Sequence, residues 1–252
     1  MSPALALRTR IVCLASLSML CAATHAAPAC RASSGAFGTP VVELYTSEGC
    51  SSCPPADRWL SGLDAGPGVV ALAFHVDYWD RLGWVDRFAK PEHTRRQAEQ
   101  QAVTGARFSY TPQVVIDGRD RTDWHALATP PGASSPRTAA VATVAIAIEQ
   151  RGESFYATVT PGEGAPVRLA AYWAVTEDRH VSAVRAGENQ GATLRHDHVV
   201  RLYREVPAWA AAAGQRVQLQ IGRGDPQFPR RVVFVVTDAA SARPLQAVTL
   251  GC

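Results

Sequence analysis

Lysine is almost missing from this chain: Lys90 is the only one, and the remaining cations are arginines. The arginines are scattered, so no basic run builds the patch that a nucleic-acid partner requires. No phosphate loop, dinucleotide fingerprint or Ser-His-Asp arrangement is spelled out. Beyond the first 26 residues, no stretch reaches the roughly 20 apolar residues that a helical membrane span needs. Repeats are absent, and low complexity is confined to "TPPGASSP" (129–136). These absences remove nucleotide-dependent, nucleic-acid-binding and helical membrane classes, and leave a few reactive side chains to explain.

The opening residues read as a secretory signal peptide. Arg8 and Arg10 precede the apolar run "IVCLASLSMLCAA", and Thr24-His25-Ala26 is a small-x-small pattern, placing cleavage after Ala26. The expectation is a periplasmic or secreted protein with no span after cleavage of residues 1–26. Losing two arginines takes the formal charge of +3 to about +1.

Of six cysteines, Cys13 and Cys21 leave with that segment, and Cys30, Cys50, Cys53 and Cys252 remain. An oxidising compartment permits disulfides. Four cysteines allow three pairings, and the sequence does not choose among them. The expected arrangement pairs Cys30 with Cys252, since domain ends often lie close together, and leaves Cys50 with Cys53.

Two rhythms follow. From Pro40 to Gly118, "VVELYT", "PADRWLSGL", "GVVALAFHV", "PEHTRRQAEQQAVTG" (a polar surface helix) and "PQVVIDG" (a strand ending in an Asp-Gly turn that signals a hairpin) alternate strand and helix, an α/β pattern. An extra helix is expected around "WDRLGWVDRF", with Trp79 and Trp84 in the core. Past 129–136 the period becomes two, in "FYATV", "VRLAAYWAV", "RVQLQIG", "RVVFVVTD" and "LQAVTL", with one helical turn at "PAWAAAAG". Short strands separated by turns predict an all-β sandwich of immunoglobulin-like type.

"EGCSSCPPAD" (48–57) carries the chemistry. A Cys-x-x-C can be a redox dithiol, a pair of metal ligands or a local bridge. Redox work needs the first cysteine at a helix start and the second one turn inside. Cys50 and Cys53 lie between a strand and a helix, as that requires. "VVELYTSEGCSSC" resembles the strand-to-cysteine entry of glutaredoxins, and Thr111-Pro112 before "QVVIDG" resembles the cis-proline element of the thioredoxin fold, which seats the partner peptide. The stretches "VELYTSEGCSSCPPAD", "ALAFHVDYWDRLGWVDRFAKPEHTRRQ", "YTPQVVIDG" and "GENQGATLRHDHVVR" resemble a secreted bacterial family of unknown function, domain-of-unknown-function family 1223. The resemblance implies an α/β thioredoxin-like domain over 38–130, ahead of the immunoglobulin-like sandwich domain over 138–252.

The expected function is that of an exported thiol-disulfide oxidoreductase acting on protein thiols or disulfides of the cell envelope. Cys50 attacks, Cys53 resolves, and Thr111 with Pro112 binds substrate. Accessory candidates are Glu43, a carboxylate in an apolar strand; Glu48, whose charge opposes a Cys50 thiolate; His75; Asn189 within Gly187-Glu188-Asn189; and His196 and His198 on one face of a strand. No cofactor is required. The alternatives are a copper or zinc module using the cysteines with a histidine, and a non-catalytic thioredoxin-like interaction protein whose Cys50–Cys53 bridge is structural.

Overall fold

The computed structural model describes residues 30–63, 68–104, 106–127 and 140–252. The expected signal peptide and the linker 129–136 lie outside them. In chain order the first strands are β1 (Arg31–Ser33), β2 (Val41–Thr46), β3 (Val70–His75), β4 (Gln113–Ile116), β5 (Arg119–Asp120), β6 (Val144–Arg151) and β7 (Ser154–Pro161). There follow β8 (Arg168–Glu177), β9 (His180–Ala183), β10 (Thr193–His196), β11 (Val199–Ala210), β12 (Gln215–Gln220), β13 (Arg230–Asp238) and β14 (Pro244–Leu250). Among the described residues two α-helices occur, α1 (Pro54–Ser61) and α2 (Pro91–Thr104).

This is a mostly β molecule, which corrects the expected fold class. An α/β thioredoxin-like domain followed by an immunoglobulin-like sandwich does not form. Instead, eight strands in the order β14-β13-β8-β11-β3-β2-β4-β5 make one mixed sheet that draws on both halves of the sequence. The junction is at β3. One of its edges pairs in parallel with β2, and the other takes β11 in parallel, with Val199 opposite Ala73. Alternation of apolar residues fixes which face a side chain occupies, but it says nothing about which edge a strand joins. The rhythms therefore marked the strands without revealing that they share a sheet.

Burial follows from that sheet. Strand β8 is covered on both faces: Trp173 and Val175 point toward Ile146, Val159 and Leu219 of a second sheet (β1-β6-β7-β12), while Tyr172 and Ala174 join Tyr45, Leu72 and Phe74 on the other side. The latter core runs without interruption from β2 and β3 to β13. On the remaining face, Val42, Leu44, Ala71 and Ala73 receive Ala56 and Leu60 of α1. Helix α2 is the polar helix expected, yet His93, Arg96, Gln97 and Gln100 are buried along it. Arg96 pairs with Glu43 and stacks its guanidinium over Tyr172, 4.4 Å from the ring centroid.

Smaller expectations fare variously. The Asp-Gly turn between β4 and β5 is present, with Asp117 and Gly118 both at positive φ (49° and 72°), as a two-residue hairpin demands. The extra helix shrinks to a single 3-10 turn at Asp80–Leu82. At "PAWAAAAG", β11 continues to Ala210 before a 3-10 turn at Ala211–Ala213. Cys30 and Cys252 form a disulfide across a sequence separation of 222, with Cα atoms 6.2 Å apart.

Candidate functional site

Strand β2 ends at Thr46, and two successive turns carry the chain into α1. The Cys50 N–H donates to Ser47 O and the Cys53 N–H donates to Cys50 O, each at 3.2 Å. Gly49 permits the close pass beneath Trp79: a Cβ there would lie 3.2 Å from Trp79 Cβ. Cys53 caps α1, its carbonyl accepting from Ala56 and Asp57 N–H at 2.9 and 3.1 Å. Cys50 and Cys53 are joined as a disulfide with Cα atoms 5.4 Å apart. Both are wholly buried, whereas Ser51 and Ser52 between them are exposed. Pro54 and Pro55 occupy the first turn and bring no N–H, so the helix start offers fewer donors to a thiolate than an ordinary one does.

A cluster of ionisable side chains lies behind this bridge. Thr46 and His75 are partners in the β2–β3 register, on the face that α1 covers. His75 Nδ1 is 2.6 Å from Asp86 Oδ2, which also accepts the Glu48 N–H at 2.8 Å. Glu48 Oε2 accepts the Trp84 indole N–H at 2.8 Å, and its Oε1 is 3.3 Å from His196 Nε2. The rings of His75 and His196 meet edge to face, 5.0 Å apart. Asp57, four residues after Cys53 and so on the same side of α1, is also buried, 7% exposed. Among the described residues, His75 Nε2 and His196 Nδ1 have no hydrogen-bond partner.

The charges in the cluster tune one another. Burial acts to raise the Asp86 pKa, but the His75 ring and the N–H groups of Glu48 and Phe88 outweigh it and hold the carboxyl at about 2. For His75, burial disfavours the imidazolium, yet Asp86, with Asp57 and Glu48 behind it, raises the pKa. Glu48 is lowered, since His196, Ser182 and Trp84 together overcome its burial. Asp57 goes the other way: burial raises it despite His196 and His75 nearby. One buried carboxyl is thus biased toward its acid form beside two biased toward carboxylate.

A hairpin latches over the front. Among the described residues, strands β9 and β10 pair only with each other, and their connecting loop reaches Cys50 and Ser51. Glu188 Oε2 accepts the Ser51 N–H at 3.0 Å and the Ser51 hydroxyl at 2.7 Å. The Asn189 amide donates to the carbonyls of Glu48 and Cys50, each at 2.9 Å. Gly187, at φ 73°, lets the loop pass Trp84: a Cβ there would lie 3.2 Å from Trp84 Cβ.

Thr111 and Pro112, joined by a cis peptide bond, flank the same region. The Trp79 indole donates to Thr111 Oγ1 at 2.8 Å, and the same tryptophan backs Gly49. Tyr45 of β2 opposes Gln113, so Pro112 stands beside the end of β2, where the cysteine loop begins.

Of the residues named from sequence, Glu48, His75 and His196 thus come together, and Asn189 bonds the Cys50 carbonyl. Glu43 does not. It lies on the opposite face of β2, bound to Arg96 and accepting from the Tyr172 hydroxyl at 2.8 Å. His198 is also elsewhere. The expected continuous strand breaks at Asp197, His198 takes positive φ (57°), and its Nδ1 lies 3.6 Å from Asp178. The two histidines therefore do not share a face. Asp57 and Asp86 were not named, and Trp84, expected only in the core, is half-buried and bonds Glu48 instead; Asp57 was legible as the i+4 neighbour of Cys53, whereas nothing local marks Asp86. Among the described residues no three His, Cys, Asp or Glu side chains are arranged to hold a metal ion, and no helix is long and apolar enough to cross a membrane.

The chain belongs to the family described as "protein of unknown function (DUF1223)", whose sequence model matches residues 41–237. Its structure is similar to the crystal structure of protein AGR_C_4864 from Agrobacterium tumefaciens, at 25% identity and TM-score 0.62, over 85% of this chain and 94% of that one. It is also similar in fold to HBP35 of Porphyromonas gingivalis, at 14% identity and TM-score 0.55, over 86% and 76% of the two chains. No functionally curated protein matches it.

Proposed function

We propose that this protein carries out thiol–disulfide exchange at Cys50–Cys53, exported to the cell envelope and acting on protein thiols or disulfides there. The observation that carries this reading is the set of five buried ionisable residues behind the bridge: Glu48, Asp57, His75, Asp86 and His196. Burying charge is costly, and a bridge that only braces a loop gains nothing from it. Perturbed ionisable groups gather where chemistry is done. In this reading a partner thiolate attacks Cys50 Sγ, Cys53 Sγ leaves, and the segment at Thr111-Pro112 lies where a partner chain passes.

The full burial of both cysteines favours a second reading, an inert structural bridge, because exchange depends on access. A trapping experiment separates the two. With Cys53→Ser, Cys50 has no resolving partner, so the first reading expects a stable mixed disulfide with a cystine-containing peptide. No adduct on a folded Cys53→Ser protein supports the structural bridge.

A further inference from the structure

The two disulfides differ in what can reach them. Cys50 and Cys53 are wholly buried, whereas Cys252 is exposed and Cys30 is half-buried against the core of the second sheet. Exchange requires an accessible sulfur, and exposed bridges are the labile ones. Cys252 also lines a cavity of about 510 Å³, within the range of about 300 to 1,000 Å³ that small-molecule sites occupy. Its walls are the turn between β6 and β7, the segment that joins β12 to β13, and the end of β14. Phe155, Val232 and Leu250 give it a buried apolar lining. Gly224 lets the β12–β13 segment lie against Arg230: a Cβ there would come 2.9 Å from Arg230 Nε.

The charged groups around this cavity are of both signs and loosely held. The Arg223 side chain is 93% exposed, and its Nε stands 4.0 Å from Glu153 Oε1, too far for a hydrogen bond. Asp225 Oδ1 accepts the Gln227 N–H at 2.9 Å. Arg230, by contrast, is occupied: its guanidinium donates to Glu177 Oε1 at 2.7 Å and to Gly222 O at 2.9 Å. A ligand carboxylate thus meets the guanidinium of Arg223, and a ligand ammonium meets Glu153 and Asp225.

We infer that this cavity is a site for an amino-acid-derived, low-molecular-weight thiol bearing both carboxylate and ammonium, which exchanges with the Cys30–Cys252 bridge at Cys252. The thiolate R–S⁻ attacks Cys252 Sγ from the cavity. An R–S–S–Cys252 bond forms as the Cys30–Cys252 bond breaks. The electron pair leaves on Cys30 Sγ, which takes a proton from water. In the reverse direction the Cys30 thiolate attacks Cys252 Sγ and expels R–S⁻, restoring the bridge. A second R–S⁻ attacking the bound thiol's sulfur instead gives R–S–S–R and leaves Cys252 reduced, so two thiols supply the two electrons. Cys30 immediately precedes β1, so opening the bridge leaves that three-residue edge strand without its covalent anchor. The site is separate from Cys50–Cys53 and does not depend on exchange there.

The test treats the oxidised full chain with reduced glutathione, quenches with acid, alkylates, and maps the peptides over time. Cys30 and Cys252 are expected to react before Cys50 and Cys53, with glutathione found on Cys252 and not on Cys30. Glutathione on Cys30, or earlier opening of Cys50–Cys53, overturns the inference. Recognition is read as the rate of opening of Cys30–Cys252 by glutathione divided by the rate with uncharged 2-mercaptoethanol, each per reagent thiolate at low salt. Arg223 is exposed, so Arg223→Glu leaves the fold intact, and it should lower this ratio about fivefold. The ratio cancels any change in the bridge itself. An unchanged ratio means that the cavity does not select the thiol and overturns the inference.

Discussion

Ser51 and Glu188 are 137 residues apart in sequence and joined twice, the Glu188 carboxylate accepting both the backbone N–H and the hydroxyl of Ser51. Together with Asn189 on the Cys50 carbonyl, this ties the β9–β10 loop to the residues that cover the disulfide. Both cysteines are buried, and release of these bonds is expected to be needed before a thiol reagent reaches them. Asn189→Ala removes two of them. At about 1 kcal/mol each, their loss is expected to speed reduction of the bridge by up to about thirtyfold. The measurement is thiol trapping over time in dithiothreitol. An unchanged rate means that the loop is not the barrier.

Acid should loosen the same latch. The bonds to Ser51 hold the Glu188 pKa below the ordinary carboxylate value. A depressed carboxyl contributes above its unfolded pKa and loses that contribution as pH falls through its folded one. The accelerating effect of Glu188→Ala on reduction, taken per reagent thiolate, is therefore expected at neutral pH and should fade as pH falls below the ordinary glutamate value of about 4.3. An effect that persists in acid removes the carboxylate from the account.

The His75–Asp86 pair makes stability depend on pH from both sides. His75 is raised, so its contribution is complete below its unfolded value of about 6.5 and is lost as pH climbs through the folded one. Asp86 is held at about 2, so its contribution is complete above its unfolded value of about 3.9 and is lost on the way down to that folded value. Stability from the pair peaks between about pH 4 and 6.5. Asp86→Asn should lower unfolding free energy by about 3 kcal/mol or more in that window and flatten the decline above it. Urea titrations across pH read both effects.

Glu43 and Arg96 are expected to behave as structure, not chemistry. Breaking the buried pair with Glu43→Gln should cost about 3 kcal/mol or more, because Arg96 is left charged among Tyr172, Tyr203 and Phe74. Replacing both, as Glu43→Gln with Arg96→Met, should recover much of that loss while leaving reduction of Cys50–Cys53 unchanged. If exchange falls with Glu43→Gln in a protein that remains folded, Glu43 belongs to the site after all.

The Cys30–Cys252 bridge closes a loop of more than two hundred residues. In the chain-entropy description, replacing both cysteines by alanine lowers stability by up to about 5 kcal/mol. Denaturant midpoints of the double variant measure it, and a change below about 1 kcal/mol would contradict this role.

What the sequence disclosed was local. "EGCSSCPPAD" announced a strand–cysteine–helix passage, and "PQVVIDG" announced its hairpin, because each depends on neighbours in the chain. The choice of edge partner is not written locally, so β11 beside β3 was invisible, and with it the mostly β architecture. The same holds within the site. Glu48 and His196 could be named as reactive residue types, but Asp86 reads only as one acid in a loop until His75 is seen 2.6 Å away. His198 shows the reverse error: alternation put it beside His196, and the positive φ that turns it away has no sequence mark stronger than the preceding Asp197.

The equilibrium reduction potential of Cys50–Cys53, from thiol trapping in defined thiol–disulfide buffers without metal, tests the central claim most directly. The expected value lies within the working range of about −120 to −270 mV, toward its reducing end. Pro54 and Pro55 remove donors that would stabilise the thiolate, and the carboxylates of Glu48 and Asp86 oppose it. A potential below about −300 mV would mark a structural bridge and contradict exchange at this site.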